Sequence, residues 1–236
     1  LAKPWDTIFC TPCSHLNEDE CNAPEFYTGG SKLTLVGCDD KITADGLDIA
    51  VSTLENRGVH GPQLGPVSVT QLTEKGTVYS LDELDSIINV AKRHNLPVHM
   101  DGARFANALV ALECSAAEMT WQRGVDAVTF GCSKNGLMSA EAVIFFNAEH
   151  GWEFELRRKR GGHLFSKHRY LSAQIKGYLD DDLWQKTARQ ANQNAGYLAA
   201  QLKDIEHVHF QYEQHANMLF VKMPRYVHQH AFASGA

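Results

Sequence analysis

Short apolar segments of strand character alternate with helical stretches over the first 146 residues, and this predicts an α/β fold: a mostly parallel sheet flanked by helices. Two segments late in that run, DAVTF and EAVIFF, are almost continuously apolar, as strands covered on both faces are. After residue 147 the chain becomes basic and helical, then long and amphipathic, which marks the start of a smaller α+β C-terminal domain. The expected division is a large domain over residues 1–155, its N-terminal part missing, and a linker helix with an incomplete small domain over 156–236.

Each element follows from local signals. DTIFC and KLTLVGC read as strands, and a polar helical stretch lies around residues 43–56. PVSVTQL is the next strand, with Pro66 at its start, where a missing N–H does least harm. SLDELDSIINVAKRHN is a helix: Ser80 and Glu83 form a capping-box pair, and Leu84, Ile87, Ile88 and Ala91 recur at helical spacing. It stops before Pro97, and PVHMD is a strand. ARFANALVAL is helical again. SAAEMTWQRG opens on a second capping box, Ser115 with Glu118, and ends on Gly124; Met119 and Trp121 are expected in the core. Beyond residue 147, EFELRRKRGGHLFSKHRY and DDLWQKTARQANQNAGYLAAQLKD are helical, and HVHFQYE and ANMLFVKM are strand candidates. HQHAFASGA ends the chain without an evident closing element.

Apolar residues make up 44% of the 236 and charged residues 21%, ordinary for a globular enzyme. A net charge of −6 argues against a nucleic-acid partner. No apolar run reaches membrane-spanning length, and no basic-then-apolar leader opens the chain, so a cytoplasmic location with no membrane partner is expected. The chain begins on Leu1 and enters a strand almost at once, which reads as an internal fragment of a longer protein.

Six cysteines, at 10, 13, 21, 38, 114 and 132, are expected to be reduced thiols. CTPCSH, with Cys10, Cys13 and His15 and then Cys21, admits a zinc or redox reading. The second CxxC pair of a zinc ribbon is missing, and small residues at a strand end are the simpler account. His207/His209 and His228/His230 would each share a face in strands, yet ordinary surface histidines outweigh a ligand role. RRKR at 157–160 suits anions, but a solvated helix face is the plainer reading.

In α/β sheets, ligands gather beyond the carboxyl ends of the strands. Three polar residues fall there: His15 after TIFC, Asp101 after PVHM, and Lys134 after VTFG. Lysine rarely occupies buried ground without a partner or a task. An amine to hold an aldehyde, a carboxylate to keep a pyridine nitrogen protonated, and an imidazole to stack on the ring are what pyridoxal phosphate requires. From spacing alone, a solvated lysine and an ordinary Asp-Gly turn compete with that reading on about even terms.

The segments LPVHMDGARFANALVAL, GVDAVTFGCSKNG and AEAVIFF, together with HLNEDECNAPEF and VSVTQLTEKGTVYSLDEL, resemble the threonine aldolases, in the low-specificity L-threonine aldolase and phenylserine aldolase branch. The resemblance runs from about residue 8 to residue 172. It implies fold type I of the pyridoxal-phosphate enzymes (the aspartate aminotransferase fold), pyridoxal 5'-phosphate as cofactor, and a homotetramer. The implied reaction is retro-aldol cleavage of L-threonine, L-allo-threonine or a related β-hydroxy-α-amino acid to glycine and an aldehyde. Carried over by position, Lys134 is the Schiff-base lysine and Asp101 the partner of the pyridinium nitrogen. Arg104 lies near the cofactor's phenolic oxygen and the substrate carboxylate. His15 stacks on the ring and assists the hydroxyl proton, Ser133 contacts the cofactor, and Lys159 lies near its phosphate. No metal is implied.

Three departures stand beside these expectations. The family's glycine-and-threonine phosphate loop and its late substrate-carboxylate arginine have no counterpart in these residues, so weak cofactor binding or none is expected of this segment alone. Where many threonine aldolases carry a histidine after the VSVTQ strand, this chain has Glu74. Alternatives are a β-eliminating lyase or aminotransferase on the same scaffold, a non-catalytic fragment, and a Cys/His metal or redox module.

Overall fold

The computed structural model describes residues 1–55 and 57–235. In chain order the elements begin β1 (Asp6–Cys10), α1 (His15–Glu18), α2 (Ala23–Thr28), β2 (Lys32–Leu35), α3 (Ala44–Glu55), β3 (Gln63–Thr70) and α4 (Leu81–Arg93). They continue with β4 (Val98–Gly102), α5 (Phe105–Leu112), α6 (Ala116–Met119), β5 (Ala127–Gly131) and β6 (Glu141–Phe145). The remainder is α7 (Glu149–Arg160), α8 (Arg169–Leu179), α9 (Leu183–Lys203), β7 (His209–Phe210), β8 (Val221–Lys222) and α10 (Arg225–Ala233). The helix expected over 43–56 is α3; Asn56 itself lies outside the described residues.

Six strands form one sheet in the order β2-β1-β3-β4-β5-β6, with β6 alone antiparallel among the described residues. From β1 the chain passes first to β2 on one side and then to β3 on the other. The carboxyl ends of β1 and β3 therefore flank a topological switch point, where open α/β sheets leave a crevice.

Alternation decides what each sheet face carries. Val67, Val69, Val98, Met100, Val128 and Phe130 are buried on one face, whereas Ser68, Thr70, His99, Asp101 and Thr129 lie on the other. The apolar face merges with the core. Leu84, Ile87, Ile88 and Ala91 of α4 are at most 1% exposed, and burying each of the three large ones contributes about 1.5–3 kcal/mol. Both expected capping boxes form, Ser80 with Glu83 and Ser115 with Glu118.

Several expectations need correction. Pro66 lies inside β3 rather than at its start, and the β1–β3 register shifts between Thr7 and Phe9, an irregularity that tolerates a residue without N–H. EAVIFF is not covered on both faces: β6 is an edge strand, and Val143 and Ile144 are each 40% exposed. Met119 is buried as expected, but Trp121 is 53% exposed, because α6 ends at Met119 and the chain turns outward. His228 and His230 fall on α10, where residues two apart do not share a face. The closing stretch carries that helix, although no closing element was evident; Ala236 lies outside the described residues.

Candidate active site

The site is built from the segments that leave β1, β3, β4 and β5 at one end of the sheet. Asp101 is the fourth residue of β4, paired with Thr70 of β3 on one side and Thr129 of β5 on the other. Its Oδ1 accepts the N–H of Ala103 at 3.0 Å, which orients the carboxyl group, and no described protein group donates to Oδ2. One step back on the same face, His99 bridges three strands: Nδ1 meets Ser68 Oγ at 2.9 Å and Nε2 meets Thr129 Oγ1 at 2.9 Å. Loss of solvation pulls the imidazole below its usual pKa, so the ring is held neutral. This rail fixes the stagger of β3, β4 and β5 directly behind Asp101. His99 lies two residues before Asp101 and so shares its face of the strand, a spacing visible in the sequence, but nothing local marks it as part of the site.

Lys134 stands in a single 3-10 turn, Ser133–Asn135, just past β5. It is exposed, and its amine makes no hydrogen bond or ion pair among the described residues. The turn around it is fastened at both ends. The Glu141 carboxylate accepts the N–H of Cys132 and of Ser133, each at 3.1 Å. On the other side, Asn135 Nδ2 donates to the Tyr178 hydroxyl and to the Trp184 carbonyl, the latter at 2.9 Å. Beneath lies an aromatic cluster, with Phe105 and Phe130 centroids 5.5 Å apart and Phe130 and Trp184 5.8 Å apart. Burial pushes the neighbouring Cys132 thiol and Tyr178 phenol each up to about 12, so both stay protonated.

Gly131 joins the two halves of the site. A Cβ there would lie 2.6 Å from the Cα and O of Ala103, so the segment after Asp101 packs directly on the last residue of β5, two before the lysine turn. Only glycine permits that approach.

Arg104 follows as the N-cap of α5, part-buried; burial draws its guanidinium below the usual value, while Asp101 and Glu74 act to raise it. His15 opens α1 past β1, but its ring turns to its own loop: Nδ1 meets Glu20 Oε1 at 2.7 Å, and Nε2 lies 3.8 Å from Asp19 Oδ2. Its main chain reaches the strand ends instead, its N–H donating to Glu74 Oε1 at 2.9 Å. Lys159 is an exposed residue of α7 and makes no hydrogen bond or ion pair with these groups among the described residues. Its neighbours Arg157 and Arg158 pair with Glu153 and Glu155 of the same helix.

Thus Asp101, Arg104 and Ser133 stand at the strand ends with Lys134, and His15 joins them through its backbone. Glu141, Tyr178 and Trp184 carried no sequence signal, since their roles arise only from tertiary contact. Among the described residues, no group of three or more His, Cys, Asp or Glu is placed to hold a metal, and no helix is long and apolar enough to cross a membrane.

Comparison with known proteins adds lineage to this geometry. A low specificity L-threonine aldolase of Pseudomonas aeruginosa is 41% identical over 225 residues, covering 94% of this chain and 64% of the relative. The enzyme of the same name from Pseudomonas sp. is 39% identical over 224 residues, with the same coverage. The chain thus spans a little under two thirds of the length of these curated relatives. The solved threonine aldolase of Leishmania major superposes with a TM-score of 0.86 at 27% identity, over 98% of this chain and 67% of that one. A family model described as beta-eliminating lyase matches residues 1–224, a span that takes in the sheet and all the strand-end groups above, and the chain accordingly belongs to the beta-eliminating lyase family.

Proposed function

We propose that this chain is the central part of a pyridoxal-phosphate-dependent aldolase, one that cleaves L-threonine, L-allo-threonine or a related β-hydroxy-α-amino acid to glycine and an aldehyde. The family works with pyridoxal 5'-phosphate. When bound, this cofactor supplies an aldehyde that an amine can capture and a ring that takes up the electron pair of a broken bond at Cα. The observation that carries the reading is the pairing of an unpartnered amine, Lys134, on a turn fastened at both ends, with a carboxyl group, Asp101, on the adjacent strand. One polar atom supports the fit of a polar ligand: Glu74 Oε2, in the segment leaving β3, is buried without a hydrogen-bond partner.

In this reading Lys134 would hold the cofactor's aldehyde through its free amine. Asp101, with Oδ2 open, would keep a proton on the ring nitrogen. Arg104 offers a planar fork of donors to a carboxylate or phenolate. Ser133, in the lysine's turn, would contact the cofactor, His15 would lay its imidazole against the ring once that side chain leaves Glu20, and Lys159 would lie near the phosphate. A cytoplasmic homotetramer belongs to the same proposal. It draws support from exposed apolar side chains on two helices, Phe26 and Tyr27 on α2 and Trp152 and Leu156 on α7.

The test is to incubate the full-length, cofactor-loaded protein with threonine, allo-threonine and phenylserine and to assay both products. Equimolar glycine and aldehyde, lost in Lys134→Ala, is the expected result. Release of ammonia and a keto acid would instead make the chain a β-eliminating enzyme, and no turnover with any of the three would end the proposal.

A further inference from the structure

We infer that Glu74 is the catalytic residue that takes the proton from the substrate's β-hydroxyl group, with Oε1 as its anchored oxygen and Oε2 as its working one. The inference rests on the aldolase reading and names a residue that the reading leaves unassigned.

Glu74 lies four residues past the end of β3, on one flank of the switch-point crevice. Oε1 is fully engaged, accepting the Thr70 hydroxyl at 2.8 Å and the His15 N–H at 2.9 Å. These bonds tie the segments after β1 and β3 together across the crevice. Oε2 is buried and has no partner at all among the described residues. A buried carboxylate oxygen without a donor is costly, and natural proteins keep such groups where a ligand or a proton completes them.

The surrounding groups leave little competition for this proton. Asp101 is committed to Ala103 through Oδ1 and is proposed to serve the ring nitrogen through Oδ2. The His15 ring is taken by Glu20. Burial pushes the Cys10 and Cys13 thiols up, so they hold their own protons, and Arg104 is a cation. Tyr79, also within the field of Glu74, is raised by burial and its hydroxyl accepts the N–H of Ile42. Burial likewise holds the Glu74 carboxyl above the usual glutamate range, with Asp101 adding to the rise. A carboxylate raised in this way is a stronger base, better matched to neutral pH than an ordinary glutamate.

The step balances. The hydroxyl proton passes to Oε2 as the C–O bond becomes a carbonyl and the Cα–Cβ bond breaks. The electron pair of that bond stays with Cα, which the loaded site stabilises. A proton from solvent then completes glycine, and Glu74 returns its own proton to solvent, so none is consumed.

Glu74→Gln is the informative variant, because its amide oxygen still accepts from Thr70 and His15 while the base is gone. In the loaded enzyme two rates are compared: cleavage, which needs the hydroxyl proton removed, and exchange of glycine's α-proton in deuterated water, which does not. The ratio of cleavage to exchange should fall at least about 100-fold. An unchanged ratio overturns the inference, and so does loss of both rates together, which would make the role structural.

Cofactor-free protein gives an independent reading. A folded pKa above the unfolded value of about 4.3 means that wild type gains stability below that pH and loses it as pH rises through the folded value. The melting temperature of Glu74→Gln should therefore gain on wild type as pH rises from about 4 to about 8. A constant difference means an ordinary, solvated carboxyl group and overturns the inference by itself. Should wild type neither cleave nor exchange, the aldolase reading fails, and this titration still stands apart from it.

Discussion

Replacing Glu141 by alanine tests whether the lysine turn must be held from the sheet side. The substitution strands two main-chain donors, the N–H groups of Cys132 and Ser133, each now 3.1 Å from a carboxylate oxygen. Hydrogen bonds to charged groups contribute about 1.5–3 kcal/mol each when enclosed. Glu141 is exposed, so water replaces part of what is lost. About 1–2 kcal/mol for the pair is then the reasonable size. For a chain of this length that lowers the melting temperature by about 2–8 °C.

The fold should survive, since Asn135 still fastens the far end of the turn to Tyr178 and Trp184. Catalysis should suffer more than stability, because displacing a reacting group by about 1 Å can cost about 100-fold in rate. The expected result is a kcat for aldehyde release lower by about 10–100-fold, with Glu141→Gln, which keeps one acceptor oxygen, falling in between. Thermal melts and a coupled aldehyde assay on the same preparations decide it. A Glu141→Ala enzyme that melts lower yet turns over at the parental rate would refute the claim that this clamp serves the lysine.

Three further outcomes follow from the geometry. Gly131→Ala should lower the stability by about 1–3 kcal/mol in urea unfolding, because its Cβ meets the Ala103 backbone; a variant as stable as the parent would refute that close approach. His99, with its pKa depressed by lost solvation, supports the fold fully above its unfolded value of about 6.5 and ceases to do so as pH falls through the lower folded value. Acid-side loss of stability should accordingly flatten in His99→Gln, and an unchanged pH profile would count against the neutral rail. Ser80→Ala should cost about 1 kcal/mol by removing the cap of α4, with kinetic constants unmoved; a kinetic effect would mean that α4 couples to the site.

What the sequence disclosed was whatever is local to a segment. Both capping boxes could be read because donor and acceptor lie three residues apart, and both form. Asp101 and Lys134 could be read as strand-end residues because strand periodicity stops just there. The failures share one cause, dependence on a distant neighbour. EAVIFF reads like an interior strand, yet its exposure is set by its place at the edge of the sheet, which no residue within it encodes. Pro66 sits inside β3 because the β1–β3 pairing is irregular there. The support of Lys134 was invisible for the same reason: Asn135 and Tyr178 are 43 residues apart in the chain. Glu74 stands out in the sequence only by its difference from a family pattern, and its bare oxygen arises from tertiary packing alone.

The most direct measurement is to load the full-length protein with pyridoxal phosphate, trap the adduct with borohydride, and map the modified peptide by mass spectrometry. A single cofactor mass on Lys134, within the peptide that follows GVDAVTFGCS, is the expected result. A stable adduct on a different lysine, or none on a protein that nonetheless cleaves threonine, would contradict the account at its root.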